Sequence, residues 1–140
     1  MILLCRLFVS TYILPSAGLL WIFYSIVQLH FTINLKKTID APSCCPELKE
    51  AGQAYLDAEG TPKEQEAAKT LIAELEDDVT SIDDLIALAS SPAGEDLFGK
   101  EKAAGLLKAA REAKANGEKF CICPACQAGG KVLVHKEDLL

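Results

Sequence analysis

Between Pro46 and Gly117 the apolar residues recur at three- and four-residue intervals, in runs with clear starts and stops. That spacing is the signature of helices that bury one face, so it excludes a sheet-based fold for this part of the chain. The first run carries Leu48, Ala51 and Tyr55, with Pro46 at a first-helical position and Gly60 as a stop. The second opens at Thr61-Pro62-Lys63-Glu64, read as a capping box in which Thr61 and Glu64 exchange side-chain and amide hydrogen bonds. It continues through Ala67, Ala68, Leu71, Ile72 and Leu75 to the acidic pair Asp77–Asp78. Ser81 and Asp84 open a short third helix bearing Ile82, Leu85, Ile86 and Ala89. A break at Ser91-Pro92 and Gly94 follows, with Leu97 and Phe98 expected to pack beneath it. The fourth helix runs from about Lys100 to Asn116. It has Ala103, Leu106, Leu107, Ala110 and Ala113 on its buried face, Gly117 as its C′ residue and Lys108–Glu112 as an exposed i,i+4 pair.

Short connections place successive helices antiparallel. The predicted fold is therefore all-α: a small antiparallel bundle of about four helices with a cysteine-rich metal loop, preceded by an N-terminal apolar helix. The division falls at residue 40, with an apolar segment over 1–40 and the helical, cysteine-rich domain over 41–140. The stripes look self-sufficient, so a chain beginning near Lys37 is expected to fold alone. The longest strand-like alternation is Lys131-Val132-Leu133-Val134, too short to suggest a sheet.

The cysteines carry the chemistry. Cys121-Ile122-Cys123-Pro124-Ala125-Cys126 puts three thiols in six residues. Cys123 and Cys126 form a C-P-x-C turn whose amides can point at the sulfurs while two thiolates converge on one ion. Cys121 adds a third ligand. Cys44-Cys45-Pro46 lies just before the first helix. In a four-helix antiparallel arrangement the start of the first helix and the end of the fourth share one end, which brings Cys45 to Cys121, Cys123 and Cys126. These four are the expected metal ligands, with Cys44 as substitute for Cys45 and His135 as a further candidate. Zinc is the first choice for a tetrahedral sulfur site. An iron–sulfur cluster takes the same four thiolates, and a dithiol redox pair at Cys123 and Cys126 is the third option, although the βαβ context of such pairs is missing. Cys5 reads as an isolated core residue.

Nothing in the sequence assembles a catalytic constellation. Asp77–Asp78 and Asp83–Asp84 read as helix-end and capping residues, His135 has no nucleophile or acid partner, and Gly129-Gly130-Lys131 lacks the spacing of a phosphate loop. The reading is a non-enzymatic interaction module with an unknown protein partner. Residues 41–140 hold 11 basic and 19 acidic side chains, which leaves the domain at −8 and unsuited to nucleic acid.

Residues 7–35 contain no Asp, Glu, Lys or Arg. One reading is a single membrane anchor over residues 16–35, with Trp21, Phe23 and Tyr24 as apolar bulk and Lys36–Lys37 as the stop. Twenty residues would span ~30 Å as a helix. Ser25, Gln28, His30, Thr32 and Asn34 make its second half polar. A second reading places translation initiation downstream, at Leu35 or Ile39, since Met1 is the only methionine. A cleaved secretory signal, with Arg6 as its early basic residue, ranks behind both, since there is no small-x-small site and the apolar run is too long. Clustered cysteines that suit a metal better than disulfides favour a reducing compartment, so the domain is expected in the cytoplasm, tethered to the membrane if 16–35 is an anchor.

Five motifs together resemble a family of small bacterial helical proteins often labelled as heat-shock chaperones of the ninety-kilodalton class. They are Cys45-Pro46-Glu47-Leu48-Lys49, Tyr55-Leu56-Asp57-Ala58, the run from Leu71 to Asp78, Ile82-Asp83-Asp84-Leu85-Ile86 and Cys121-x-Cys123-Pro124-Ala125-Cys126. The resemblance covers Cys44 to Leu140 and leaves the first forty residues outside. It implies the helical fold and the cysteine pattern; the chain has no nucleotide-binding motif.

Overall fold

The structure, a computed structural model, describes residues 14–139, with side chains from Ile22 onward apart from Phe23 and Tyr24. Arg6 and Cys5 lie outside the described residues, and so do the side chains of Trp21, Phe23 and Tyr24. The described chain is all-helical, with seven α-helices and no strand. They are α1 (Leu14–Asp40), α2 (Pro46–Ala58), α3 (Glu64–Asp78), α4 (Ile82–Ala89), α5 (Pro92–Phe98), α6 (Lys100–Ala115) and α7 (Pro124–Val134).

The apolar stripes build two cores. Leu48, Tyr55, Ala68, Leu71 and Leu75 from α2 and α3 join Phe31 and Leu35 of α1 and Ala125 and Val132 of α7 in the first. Ile82 and Leu85 of α4 and Ala110 of α6 form the second, together with Cys121 and Cys126. The simple up-down-up-down bundle is therefore corrected. α2 packs on α1 and α3, whereas α6 packs on α4 and α5. The place expected for α6 beside α2 is taken by α1 and α7.

Local signals explain most of the boundaries. Ser81 caps α4, its Oγ accepting from the Asp84 amide at 3.0 Å and donating to the Asp84 carboxylate at 2.7 Å. Ser91 caps α5, a short helix in place of the expected break. One residue, Gly99, separates α5 from α6 at φ 82°, a conformation open to glycine at little cost. Leu97 does not pack beneath the break; it is 68% exposed. The box at Thr61 is displaced. Glu64 reaches back to the Gly60 amide at 2.8 Å, and Thr61 donates to the Ala58 carbonyl at 2.6 Å. A turn through residues 61–63 intervenes, so α3 starts at Glu64 rather than at Pro62.

The largest departure concerns α1. Its last turns belong to the first core: Leu35 and Thr38 are fully buried, and Phe31 meets Tyr55 edge-on with ring centroids 5.3 Å apart. Polar residues enter this face because the helix satisfies them itself. Thr38 Oγ1 donates to the Asn34 carbonyl at 2.9 Å, and Asn34 Nδ2 to the His30 carbonyl at 2.8 Å. Among the described residues no helix is long and apolar enough to cross a membrane.

Two losses of stability are expected. Leu71→Ala, in the middle of the first core, costs ~2–5 kcal/mol. A chain beginning at Lys37 loses Phe31 and Leu35 and falls by a comparable or larger amount, against the expectation from sequence. Urea denaturation of the two variants beside the full chain measures both.

Candidate metal centre

The cysteines sit where the two cores meet. Two connections pass between the halves, residues 79–81 leading into α4 and residues 116–123 returning from α6. They are paired with each other. The Ile82 amide donates to the Lys119 carbonyl at 2.9 Å, the Cys121 amide donates to the Thr80 carbonyl at 2.8 Å, and Ser81 and Phe120 form an isolated antiparallel bridge. This pairing fixes Cys121 beside the end of α3.

Cys123 is held by helix capping. It is the N-cap of α7, with Pro124 at the first helical position, and its Sγ accepts from the Cys126 amide at 3.4 Å. Cys126 lies one turn in, its thiol facing the Asp78 carbonyl at 3.9 Å. The Sγ atoms of Cys121, Cys123 and Cys126 all lie within 4.8 Å of one another. A tetrahedral ion with metal–sulfur bonds of about 2.3 Å needs sulfurs about 3.8 Å apart, so small side-chain rotations close the set on one ion. All five described cysteines are free of disulfides.

Cys45 repeats the Cys123 arrangement at the start of α2. It is the N-cap before Pro46, and its Sγ accepts from the Leu48 amide at 3.3 Å. Its own proton goes to Asp78 Oδ2 at 2.8 Å. Cys45 is outside the group of three, yet it lines a cavity of about 70 Å³ with Cys44, Asp78 and Cys126. Ser43 ties this turn to α7, its Oγ accepting from the Ala125 amide at 3.3 Å. Cys44 is buried, with its thiol on the Cys45 carbonyl at 3.5 Å. His135 is elsewhere. It caps the other end of α7, ~13 Å along the axis from Cys126 at 1.5 Å per residue, and pairs with Asp138 at 3.3 Å.

No known protein family, curated protein or solved structure matches this chain.

The thiols differ in acidity. Burial pushes Cys126 up to about 12 and also raises Cys121. Burial works against the Cys123 thiolate too, but hydrogen bonds from the Cys126 amide and thiol, from Ser43 and from Cys121 outweigh it and hold Cys123 below the usual thiol range. The bond to Asp78, and then burial, raises Cys45; burial, and then the Cys45 thiol, raises Cys44.

Asp78, a helix end by sequence, is the functional residue that sequence reasoning misses. One signal was available. An acidic side chain in the last turn of a helix opposes the macrodipole and calls for a compensating partner. The glycines of α7 were likewise visible but unexplained. A Cβ on Gly129 would meet the side chains of Val79 at 2.9 Å and Leu75 at 3.2 Å, and one on Gly130 would enter the Phe120 ring. Both let α7 lie close to its neighbours and keep Cys126 in reach of Cys121.

In the metal-free chain Cys123 is expected to alkylate first with iodoacetamide at pH 8 and Cys126 last, because the thiolate is the nucleophile and a lowered pKa supplies more of it. Peptide mass spectrometry over a time course gives the order. Gly130→Ala should destabilise by ~1–3 kcal/mol through displacement of the Phe120 ring, despite the better helix propensity of alanine. The thermal midpoint reads this directly.

Proposed function

We propose that this chain is a non-catalytic interaction module whose two helical halves are joined by a thiolate-bound metal ion, with zinc as the metal. The observation that carries the reading is the convergence of Cys121, Cys123 and Cys126 at the junction of the two cores. Cys45 is the fourth ligand. What supports this is the cavity it shares with Cys126 and its bond to Asp78, whose carbonyl faces the Cys126 thiol. Deprotonation on binding removes the proton that Cys45 now gives Asp78, so that hydrogen bond is lost as the metal bond forms. A closed set of four thiolates is the form of structural sites and leaves no open position for substrate.

The module belongs in a reducing compartment, which a site of free thiols requires, and its acidic surface turns it away from nucleic acid toward a protein partner. The resemblance to the small bacterial family asks for the same cysteines and adds no activity. An iron–sulfur centre is the second reading, since it takes the same ligands. The short sulfur separations favour a single ion over a cluster.

Elemental analysis of protein purified without affinity metal, together with its visible spectrum, tests the proposal. One zinc per chain and no visible absorption are expected. Cys123→Ser and Cys45→Ser should both lose the ion and lower the thermal midpoint, whereas His135→Ala should change neither. Full metal content in Cys45→Ser would sink the fourth-ligand assignment. A brown protein containing iron and labile sulfide would replace zinc with the cluster.

A further inference from the structure

Two thiols of the cluster meet the requirements of a reversible oxidation site. Such a site needs one sulfur that an oxidant can reach and a second thiol beside it to trap the first oxidation product. Cys123 is half-buried, whereas Cys121 and Cys126 are only 9% and 8% exposed. The second thiol is on the same turn of α7. The Cys126 amide donates to Cys123 Sγ at 3.4 Å, and the two sulfurs lie within 4.8 Å of each other. Disulfide sulfurs are about 2.05 Å apart, so at most about 2.8 Å remains for rotation of the two side chains to close. The other pairings are worse. Cys44 and Cys45 are adjacent, and joining them would force the peptide bond between them out of its plane. Cys45 is half-buried as well, but it stands outside the group of three and its thiol is engaged by Asp78 at 2.8 Å. Cys121 and Cys123 would close a ring through two peptide bonds rather than three, and the Cys121 amide is tethered to the Thr80 carbonyl. Cys121 and Cys126 are both buried, so neither meets an oxidant first.

We propose that Cys123 and Cys126 form a peroxide-sensitive pair: hydrogen peroxide converts them to a disulfide, and the disulfide releases the metal. The release of metal rests on the thiolate site proposed above; formation of the disulfide does not. For the two thiols, the Cys123 sulfur attacks one oxygen of the peroxide. A sulfur–oxygen bond forms, the oxygen–oxygen bond breaks, and the departing hydroxide takes the Cys123 proton to become water. The Cys126 sulfur then attacks the Cys123 sulfur. The sulfur–sulfur bond forms, the sulfur–oxygen bond breaks, and the hydroxyl leaves with the Cys126 proton as a second water. The two thiols lose two electrons, and one peroxide gains them. Neither sulfur of a disulfide carries the charge that binds an ion. Cys121 and Cys45 remain, two ligands where a tetrahedral structural site takes four. The bond also draws the Cys126 sulfur off the Asp78 carbonyl, its contact with the end of α3. A dithiol reductant reverses the change by thiol–disulfide exchange, its own two thiols becoming the disulfide.

Treatment of the full chain, loaded with zinc and freed of reductant, with a modest excess of hydrogen peroxide tests the proposal. A chromogenic chelator reads released zinc, thiol titration of the denatured chain counts what is lost, and peptide mass spectrometry without reduction maps the link. Two thiols per chain should disappear, a link between Cys123 and Cys126 should form, and zinc should leave in step with it. Dithiothreitol and fresh zinc should restore both. In Cys126→Ser the second step is blocked, so dimedone, which traps sulfenic acid, should label Cys123. A link between any other pair, dimedone on another cysteine, or Cys123 carried to sulfinic acid with no link in the unsubstituted chain would each overturn the pair. A linked chain that keeps its zinc would overturn the release. A chain that never binds zinc yet forms this link refutes the metal site and upholds the oxidation pair.

Discussion

The crossing of two connections, residues 79–81 and 116–123, holds the arrangement together. Two backbone hydrogen bonds join them, Ile82 to Lys119 and Cys121 to Thr80. Val79 and Cys123 pack against both cores here, and Cys126 of α7 belongs to the second, while the helices of each half otherwise make their principal contacts within that half. Each such hydrogen bond contributes only ~1 kcal/mol net. What makes the crossing consequential is its contents. Cys121 stands on one connection, Cys123 and Cys126 follow it, and Asp78 and Val79 end the helix that leads into the other. An ion bound to these sulfurs would add a bond network far stronger than the two hydrogen bonds, at the place where the two cores meet.

Both Cys-Pro pairs use one device. A proline fixes the first helical residue, and the cysteine before it turns its sulfur toward the amide two residues beyond that proline. Serine or aspartate is the usual occupant of such a cap. A thiol caps more weakly, but it lies in the positive field at the helix start, which favours its ionised form. At Cys123 this and the other hydrogen bonds prevail over burial, whereas at Cys45 the bond to Asp78 and burial outweigh it; in both, the sulfur's orientation comes from backbone geometry. Close approach of α7 to α3 and to the Phe120 ring requires Gly129 and Gly130, which links the site to the packing behind it.

Much of the helical content was legible because Leu48, Leu71, Leu75, Ile82 and Ala110 repeat at helical spacing and are all buried. The architecture was harder to read. α7 escaped notice because Gln127, Gly129 and Gly130 suggest a turn by propensity, and only contact with α1 and α3 makes a helix of them. The nearness of Cys45 to the other cysteines was anticipated from a bundle in which α6 lies beside α2. The structure brings that turn to Cys126 through α7 and Ser43 instead. The tie between the end of α1 and the first core is hidden in the sequence for a related reason. Asn34 and Thr38 look unsuited to a core until their bonds to the backbone of their own helix are counted. Asp78 reads as a helix end because its partner, Cys45, lies 33 residues away in sequence.

Entry and exit at a single crossing give α4–α6 the topology of a cassette. Its two ends leave the rest of the chain side by side, so the 82–115 segment can melt and re-form while the first core stays closed. Local opening of this kind has its own free energy, set by the second core and by whatever clasps the crossing. Were an ion held by these sulfurs, as proposed above, its supply would set how much of the chain is ordered at a given moment.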